Sequence, residues 1–323
     1  DTGIKVEAGR MRLALARGQA PLWVDLPAHL AVLPAEAFRQ VQLVYSHATQ
    51  KSTWHLTAQD QIVVQPSPNS EVMAIDLGEI HPAACTNGKT ATIIACRELR
   101  ANAQHRNKKT ADLQELIARC QPGSRRWKKL VARRKKLQAQ ADAKQRDMLH
   151  KVSRAAIEEA QAMEAGTIVL GDVRDVADKT RVGQTAPDGR VIKKPHRLSR
   201  ESRQKISNWP HGQLRHYITY KAAALGIAVE LINEAYTSKT CPACGHLNKP
   251  NGRHYACTQC GYVGHRDNVG STNILSKHQT GKLAQMRPCA AIKYRHPVRR
   301  ASVDRADTRR VLATAPVARA SEN

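Results

Sequence analysis

The stretch VELINEAYTSKTCPACGHLNKPNGRHYACTQCGYVGHRDNVGSTNI, Val229 to Ile274, decides how this chain is read. Cys241-x-x-Cys244 and Cys257-x-x-Cys260 form two knuckles with twelve residues between them, each followed by a glycine, Gly245 and Gly261. Two thiolates three residues apart grip one ion from a tight turn, and glycine permits the positive φ that such a turn needs. Four sulfurs close a tetrahedral shell, so the expected ion is a structural zinc with no open position for a substrate. Disulfide pairing is the competing reading, and the spacing favours the metal.

The flanks of the knot carry the chemistry. Ile227, Val229, Leu231 and Ile232 read as a strand ending at Glu234. Beyond the knot, Asp267 is expected to cap a helix over DNVGSTNILSKH, with Val269 and Ile274 apolar. The ribbon is then an excursion that returns the chain to where it left, and brings the carboxylates of Glu234 and Asp267 side by side.

Composition narrows the partner. In 323 residues, 52 Lys+Arg stand against 27 Asp+Glu, a formal charge of +25. An excess that large points to nucleic acid held through its phosphates, a merely solvated basic protein being the alternative. No apolar run approaches the ~20 residues of a membrane span, and no secretory signal is visible. The remaining cysteines, Cys85, Cys96, Cys120 and Cys289, are scattered, as suits a reducing compartment.

Before the knot, residues 1–70 show short β-like runs at Leu22 to Leu26, Val41 to Tyr45, Thr53 to Thr57 and Ile62 to Val64, which suggest a small β-barrel-like domain. A buried-type strand from Val72 ends at Asp76 and is followed by a turn at Asn87-Gly88 and a second strand from Ala91 to Cys96. An aspartate at the end of an apolar strand faces a cleft while its backbone stays in a sheet. Helical periodicity runs from Asn102 to Ala165, broken at Pro122-Gly123, and predicts an antiparallel pair. Between Arg125 and Arg154, twelve Lys or Arg meet only Asp142 and Asp147. A solvated face mixes signs, so the cluster Arg125, Arg126, Lys128, Lys129, Arg133, Arg134, Lys135 and Lys136 is assigned to a nucleic-acid backbone, with simple solubility as the alternative. A third strand, Thr167 to Leu170, precedes Gly171-Asp172; residues 174–205 read as a mobile basic loop, and Ile206 to Leu225 as one helix. The order is that of an α/β domain with one central sheet. Residues 279–323, with ten Lys/Arg against three acids, read as a disordered tail.

Taken together, AIDLGEIHPAA, SRRWKKL, IVLGDV, LRHYITYKAAALGI and EAYTSKTCPACG…CTQCG…HRDNVGSTNIL resemble TnpB, the transposon-encoded RNA-guided nuclease family related to type V CRISPR effectors and to Fanzors. The resemblance covers residues 70 to 278. It implies a RuvC (ribonuclease-H-like) nuclease domain in three parts, 71–100, 166–237 and 265–278, with the basic helical hairpin 101–165 and the zinc ribbon 238–264 inserted. It also implies a wedge domain at 1–70 and a lid over 174–205. Asp76 matches the first RuvC aspartate and Asp267 the last. Where many relatives carry the middle glutamate, this chain has Gly171, followed by Asp172; Glu234 stands where Fanzors and some TnpB relatives carry a relocated one. The implied catalytic trio is Asp76, Glu234 and Asp267, with Asp172 in reserve.

Such a trio suits two Mg²⁺ ions cutting a phosphodiester, beside the structural Zn²⁺. Implied partners are a guide RNA and a target DNA, with the protein a monomer, cytoplasmic and nucleoid-associated in a prokaryote or nuclear in a eukaryote. The family's helical recognition lobe is not found within 1–70, and so lies upstream of Asp1 or is absent. Two alternatives stay open: a nuclease-deficient RNA-guided repressor, which Gly171 would explain, and a basic RNA-binding zinc-ribbon protein.

Overall fold

The computed structural model of the chain describes residues 4–47, 50–59, 63–173, 183–185, 191–193, 199–250 and 252–298. Two compact units divide it, residues 1–63 with 117–139 and residues 64–116 with 140–323.

In the first unit, β1 (Ile4–Glu7), β2 (Arg10–Leu13) and β3 (Leu22–Asp25) form an antiparallel sheet. The turn between β1 and β2 holds Ala8 and Gly9 at positive φ (49° and 74°), the two-residue turn whose twist matches a hairpin. A short helix α1 (Ala28–Ala31) precedes the hairpin of β4 (Phe38–Ser46) and β5 (Lys51–Ala58). These strands pair as a three-stranded and a two-stranded sheet, and no closed barrel occurs among the described residues. The strand expected at Ile62 to Val64 does not form at its described residues: Val63 is 79% exposed, with Pro66 and Pro68 just beyond. Ile62 lies outside the described residues. Sequence reading passed over β1 and β2 because IKVE and RMRL alternate charge with apolar residues over only four positions.

The second unit is built on one six-stranded sheet. Its strands are β6 (Glu71–Asp76), β7 (Ala83–Thr86), β8 (Ala91–Ile94), β9 (Ala165–Asp172), β12 (Ala228–Asn233) and β15 (Ile292–Arg295), in the spatial order β12-β9-β6-β7-β8-β15. Strands β6, β7 and β8 meander antiparallel, whereas β9 and β12 run parallel to β6. Between β8 and β9 run α2 (Arg97–Ala118) and α3 (Arg125–Ala162), joined through Gly123 at φ 82°. Between β9 and β12 lie the hairpin β10 (Gly183–Thr185) and β11 (Val191–Lys193), then α4 (Arg200–Ser207) and α5 (His211–Ala223). The cysteine knot carries β13 (His254–Ala256) paired with β14 (Val263–His265), and α6 (Arg266–Thr280) follows.

Alternation along the strands separates two faces. Met73, Ile75, Ile168 and Leu170 enter a core with Leu149, Val152 and Ala156 of α3 and Leu214 and Ile218 of α5. Ala74 and Val169 point the other way, onto Ile274 and Leu275 of α6. Asp76 and Gly171, two residues further along, share the α6 face.

Three expectations are corrected. Within 174–205 the structure contains the β10–β11 hairpin and the start of α4, whose N-cap Ser199 accepts a hydrogen bond from the Ser202 amide; the other residues of that segment lie outside those described. The single helix expected over 206–225 is two, broken at Trp209-Pro210, where proline disfavours helical backbone in the residue before it. The tail is not wholly irregular. Ile292–Arg295 joins the sheet parallel to β8, held by Arg295 and Lys293 on Glu159, a buried α3 glutamate that also accepts from Thr92. Residues 299–323 lie outside the described chain. No described helix is long and apolar enough to cross a membrane.

The tight turn ending α5 supplies a test. Gly226 has φ +71°, and a β-carbon there would stand 2.0 Å from the Gln65 carbonyl oxygen. Left-handed strain plus backbone overlap should make Gly226→Ala cost about 2 kcal/mol or more. Calorimetry should show a melting temperature several degrees lower, with the circular dichroism of the native state unchanged.

Candidate functional site

The knuckles hold their four sulfurs within 4.8 Å of one another. Cys241 Sγ lies 3.6 Å from Cys260 Sγ, and Cys244 Sγ lies 3.6 Å from Cys257 Sγ. Those separations far exceed a disulfide bond and approach the ~3.8 Å edge of a tetrahedron with Zn–S near 2.3 Å. Gly245 and Gly261 adopt φ of 77° and 72°, as the turns require. Burial opposes ionisation of Cys257, yet the backbone amides of Cys260 and Gln259 and the Asn248 side chain bring its thiol down to about 6. Buried Tyr255 braces the knot from within, donating to the Lys239 carbonyl and accepting from Asn248. A four-thiolate set of this shape fits zinc.

Asp76 lies near enough to Glu234 and Asp267 to feel the charge of both. Asp76 ends β6 on the face toward α6, and a β-carbon on Gly270 would lie 2.3 Å from Asp76 Oδ2. Gly270 follows Asp267 by one helical turn, so both line the helix face on which Asp76 rests. Glu234 follows β12 and lies over β9: a β-carbon on Gly171 would stand 2.6 Å from Glu234 Oε2, 3.3 Å from Glu234 Cβ and 3.0 Å from Ile274 Cδ1. The side chain of Glu234 therefore fills the space above Gly171. Positions 171 and 234 cannot both carry a large side chain here.

The electrostatics agree with that crowding. Burial, then the charges of Asp267 and Glu234, push the Asp76 carboxyl well above its ordinary 3.8. Asp267 moves the opposite way: burial resists ionisation, but His81 and Arg253 hold its carboxyl below the usual range. His81 Nδ1 lies 2.8 Å from Asp267 Oδ2, and Arg253, reaching from the ribbon, donates to the same oxygen. Asp267 is not the N-cap that the sequence suggested. His265 is the cap, its Nδ1 accepting from the Asp267 amide at 3.3 Å, which leaves the Asp267 carboxylate to pair with His81 and Arg253.

Asp172 is not brought to this cluster. It follows Gly171 on a strand, so its side chain points to the opposite face, where Arg215 of α5 lies 3.6 Å away. The eight basic residues from Arg125 to Lys136 all lie on α3, seven exposed and Arg134 half-buried. Sequence reasoning missed His81, Arg253 and His265. Their only signal was their closeness in sequence to Asp76 and Asp267, and nothing local says that His81 and Arg253 turn toward one carboxylate oxygen while His265 takes the amide of the same residue.

The chain matches two known families, "Probable transposase" (OrfB_IS605) over residues 44–177 and "Cas12f1-like, TNB domain" over residues 211–274. A TnpB-like protein of Methanocaldococcus jannaschii is 28% identical over 223 residues, covering 67% of this chain and 72% of that protein. A CRISPR-associated endodeoxyribonuclease Cas12f1 of Syntrophomonas palmitatica is 30% identical over 116 residues, covering 35% of this chain but 19% of the relative. Among solved structures, the mini-RNA-guided endonuclease CRISPR-Cas_phi3 aligns with a TM-score of 0.49 at 14% identity, over 86% of this chain and 58% of that one.

Two outcomes follow from the site. Cys257→Ser should remove the bound zinc, from about one equivalent per chain in elemental analysis to a small fraction, and expose Tyr255 to quenchers. For Asp76 the sign is set by its raised carboxyl: its contribution to stability is present below about 3.8 and lost as pH rises through the elevated folded value. Asp76→Asn should therefore raise the melting temperature at pH 7 in buffer without added magnesium. The gain should shrink toward pH 4.

Proposed function

We propose that this chain, which resembles the TnpB family related to type V CRISPR effectors, is an RNA-guided DNA endonuclease whose RuvC-type site is formed by Asp76, Glu234 and Asp267. The observation that carries this reading is the convergence of those three carboxylates from β6, the end of β12 and the first turn of α6 onto one face of the sheet. The strand order, an antiparallel meander flanked by parallel β9 and β12, supports a ribonuclease-H-like domain.

The fit of these residues to magnesium rests on charge. Three acids share a cleft in which Asp76 cannot ionise at its ordinary value, and their carboxylate oxygens are hard donors that suit a hard divalent cation, with the imidazoles of His81 and His265 beside Asp267. When bound, magnesium supplies an acidified water and neutralises charge on the phosphate. The chain's own residues do the rest. Asp76 stands central among the acids, Glu234 takes the place above Gly171, and Asp267 is aimed by His81 and Arg253. The Arg253 guanidinium also sets a positive charge at the cleft, where a phosphate oxygen needs a donor. The zinc ribbon has a structural role, fixing Arg253 against the start of α6. The basic face of α3 is assigned to the phosphates of a guide–target duplex, with base pairing reading the sequence.

Gly171, the feature that favoured a nuclease-deficient relative, is accounted for by the Glu234 side chain above it. The test uses protein purified with its co-expressed RNA, a matching DNA duplex and Mg²⁺. Glu234→Ala should lower cleavage by about a thousandfold or more, and Asp172→Ala should stay within a few-fold of the parent chain. Gly171→Glu added to Glu234→Ala should restore part of the activity. Guide-dependent binding without cutting by the parent chain would sink the proposal.

A further inference from the structure

Asp267 has two imidazole neighbours as well as its guanidinium partner. One ring nitrogen from each of His81 and His265 and one carboxylate oxygen of Asp267 lie within 4.8 Å of one another. The edge between His81 Nδ1 and Asp267 Oδ2 is 2.8 Å, and the two imidazole rings are 5.5 Å apart, centre to centre. His81 comes from the connection between β6 and β7, His265 from the end of β14 and Asp267 from the first turn of α6. The His81 and Asp267 side chains are mostly buried, each 14% exposed.

Two imidazole nitrogens and one carboxylate are a donor set for a transition-metal ion. Magnesium and calcium take oxygen, so the nitrogens turn preference toward zinc and its first-row neighbours. Around an ion with bonds of ~2.0–2.1 Å, tetrahedral ligands stand ~3.3 Å apart. The His81–Asp267 edge is already that short, and the set closes on an ion with a further shift of about 1.5 Å or less. His265 gives up little in closing, because its bond from the Asp267 amide is long, at 3.3 Å.

A cation already stands in the place. Arg253 donates to Asp267 Oδ2 and its guanidinium lies 3.4 Å from His81 Nδ1. Its side chain is 32% exposed and has solvent to swing into. The guanidinium and a metal ion are therefore alternatives for one group of lone pairs. We propose that His81, His265 and Asp267 form a further metal site, selective for zinc or another first-row ion of borderline softness, and that filling it inhibits the cleft. The ion displaces Arg253 and holds the Asp267 carboxylate that the acidic trio needs. The site stands on its own geometry, and the inhibition rests on the nuclease reading.

Zinc binding tests the site without cleavage. The full chain, its four-cysteine knot already filled, is titrated with Zn²⁺ in a calorimeter, with millimolar Mg²⁺ present to occupy oxygen-only sites. It should take up about one further equivalent. His81→Ala and His265→Asn should each weaken that uptake about tenfold or more, asparagine being chosen because it still caps a helix. Arg253→Met should tighten it several-fold by removing the competing cation, a gain that a purely bracing arginine would not give. Asp76→Asn, outside the triad, should leave it within a few-fold. If either histidine variant takes zinc as the parent chain does, if Arg253→Met weakens uptake, or if Asp76→Asn abolishes it, the site is overturned, with the nuclease reading untouched. In the cleavage assay, zinc sufficient to fill the site should slow the parent chain at least about tenfold and His81→Ala far less, each compared with itself without added zinc. Cleavage that ignores the filled site overturns the inhibition. A parent chain that does not cut sinks the nuclease reading and the inhibition together, while the calorimetry still decides the site.

Discussion

The close approach of α6 to the central sheet is the constraint on which the rest of the site depends. A helix whose inward face is Gly270, Ser271 and Ile274 lies near enough to β6 and β9 that a β-carbon on Gly270 would stand 2.3 Å from Asp76 Oδ2 and one on Gly171 would stand 3.0 Å from Ile274 Cδ1. Any larger residue at 270 would strike Asp76. That distance is set at both ends, by the ribbon, which delivers the start of α6, and by Asn273, whose amide donates to the carbonyls of Thr237 and Thr240. The four-cysteine knot and the acids are thus one mechanical assembly: the cysteines shape the excursion, and the excursion fixes where the helix begins.

The same closeness opposes stability. Burial first, and then the charges of Asp267 and Glu234, raise the Asp76 carboxyl, and the hydrophobic packing of Ala74, Val169, Ile274 and Leu275 just behind them must hold the helix down against that repulsion. Such opposition between stability and site geometry is common at functional sites. Arg253 and His81 relieve one member of the group only, which is why Asp76 and Asp267 titrate in opposite directions from similar starting points.

Much of this was legible in the sequence, for identifiable reasons. The cysteine spacing and the apolar strand running into Asp76 are local patterns, whereas the choice of Glu234 over Asp172 came from the family resemblance. Alternation could also have separated Gly171 from Asp172, since neighbours on a strand face opposite sides. What stayed hidden was long-range. Nothing in IKYR announces a strand until Glu159, buried on α3, supplies its partner. Trp209-Pro210 was a visible helix break that apolar periodicity outweighed. The cap at His265 was missed because histidine is seldom an N-cap, whereas Asp267 is a common one.

The contact between Gly171 and Glu234 has an evolutionary meaning. Two adjacent strands offer two stations for one carboxylate, and the space above β9 admits one occupant. A chain with acids at both stations is overfilled, and a chain with neither lacks its third acid. The substitutions that move the acid are therefore sign-epistatic: each is harmful alone and neutral only in the company of the other. Passage between the two arrangements is easiest through a compact intermediate, such as an alanine or aspartate at one station, rather than by gain before loss. Lineages that have made the exchange should hold it, because the return path meets the same barrier.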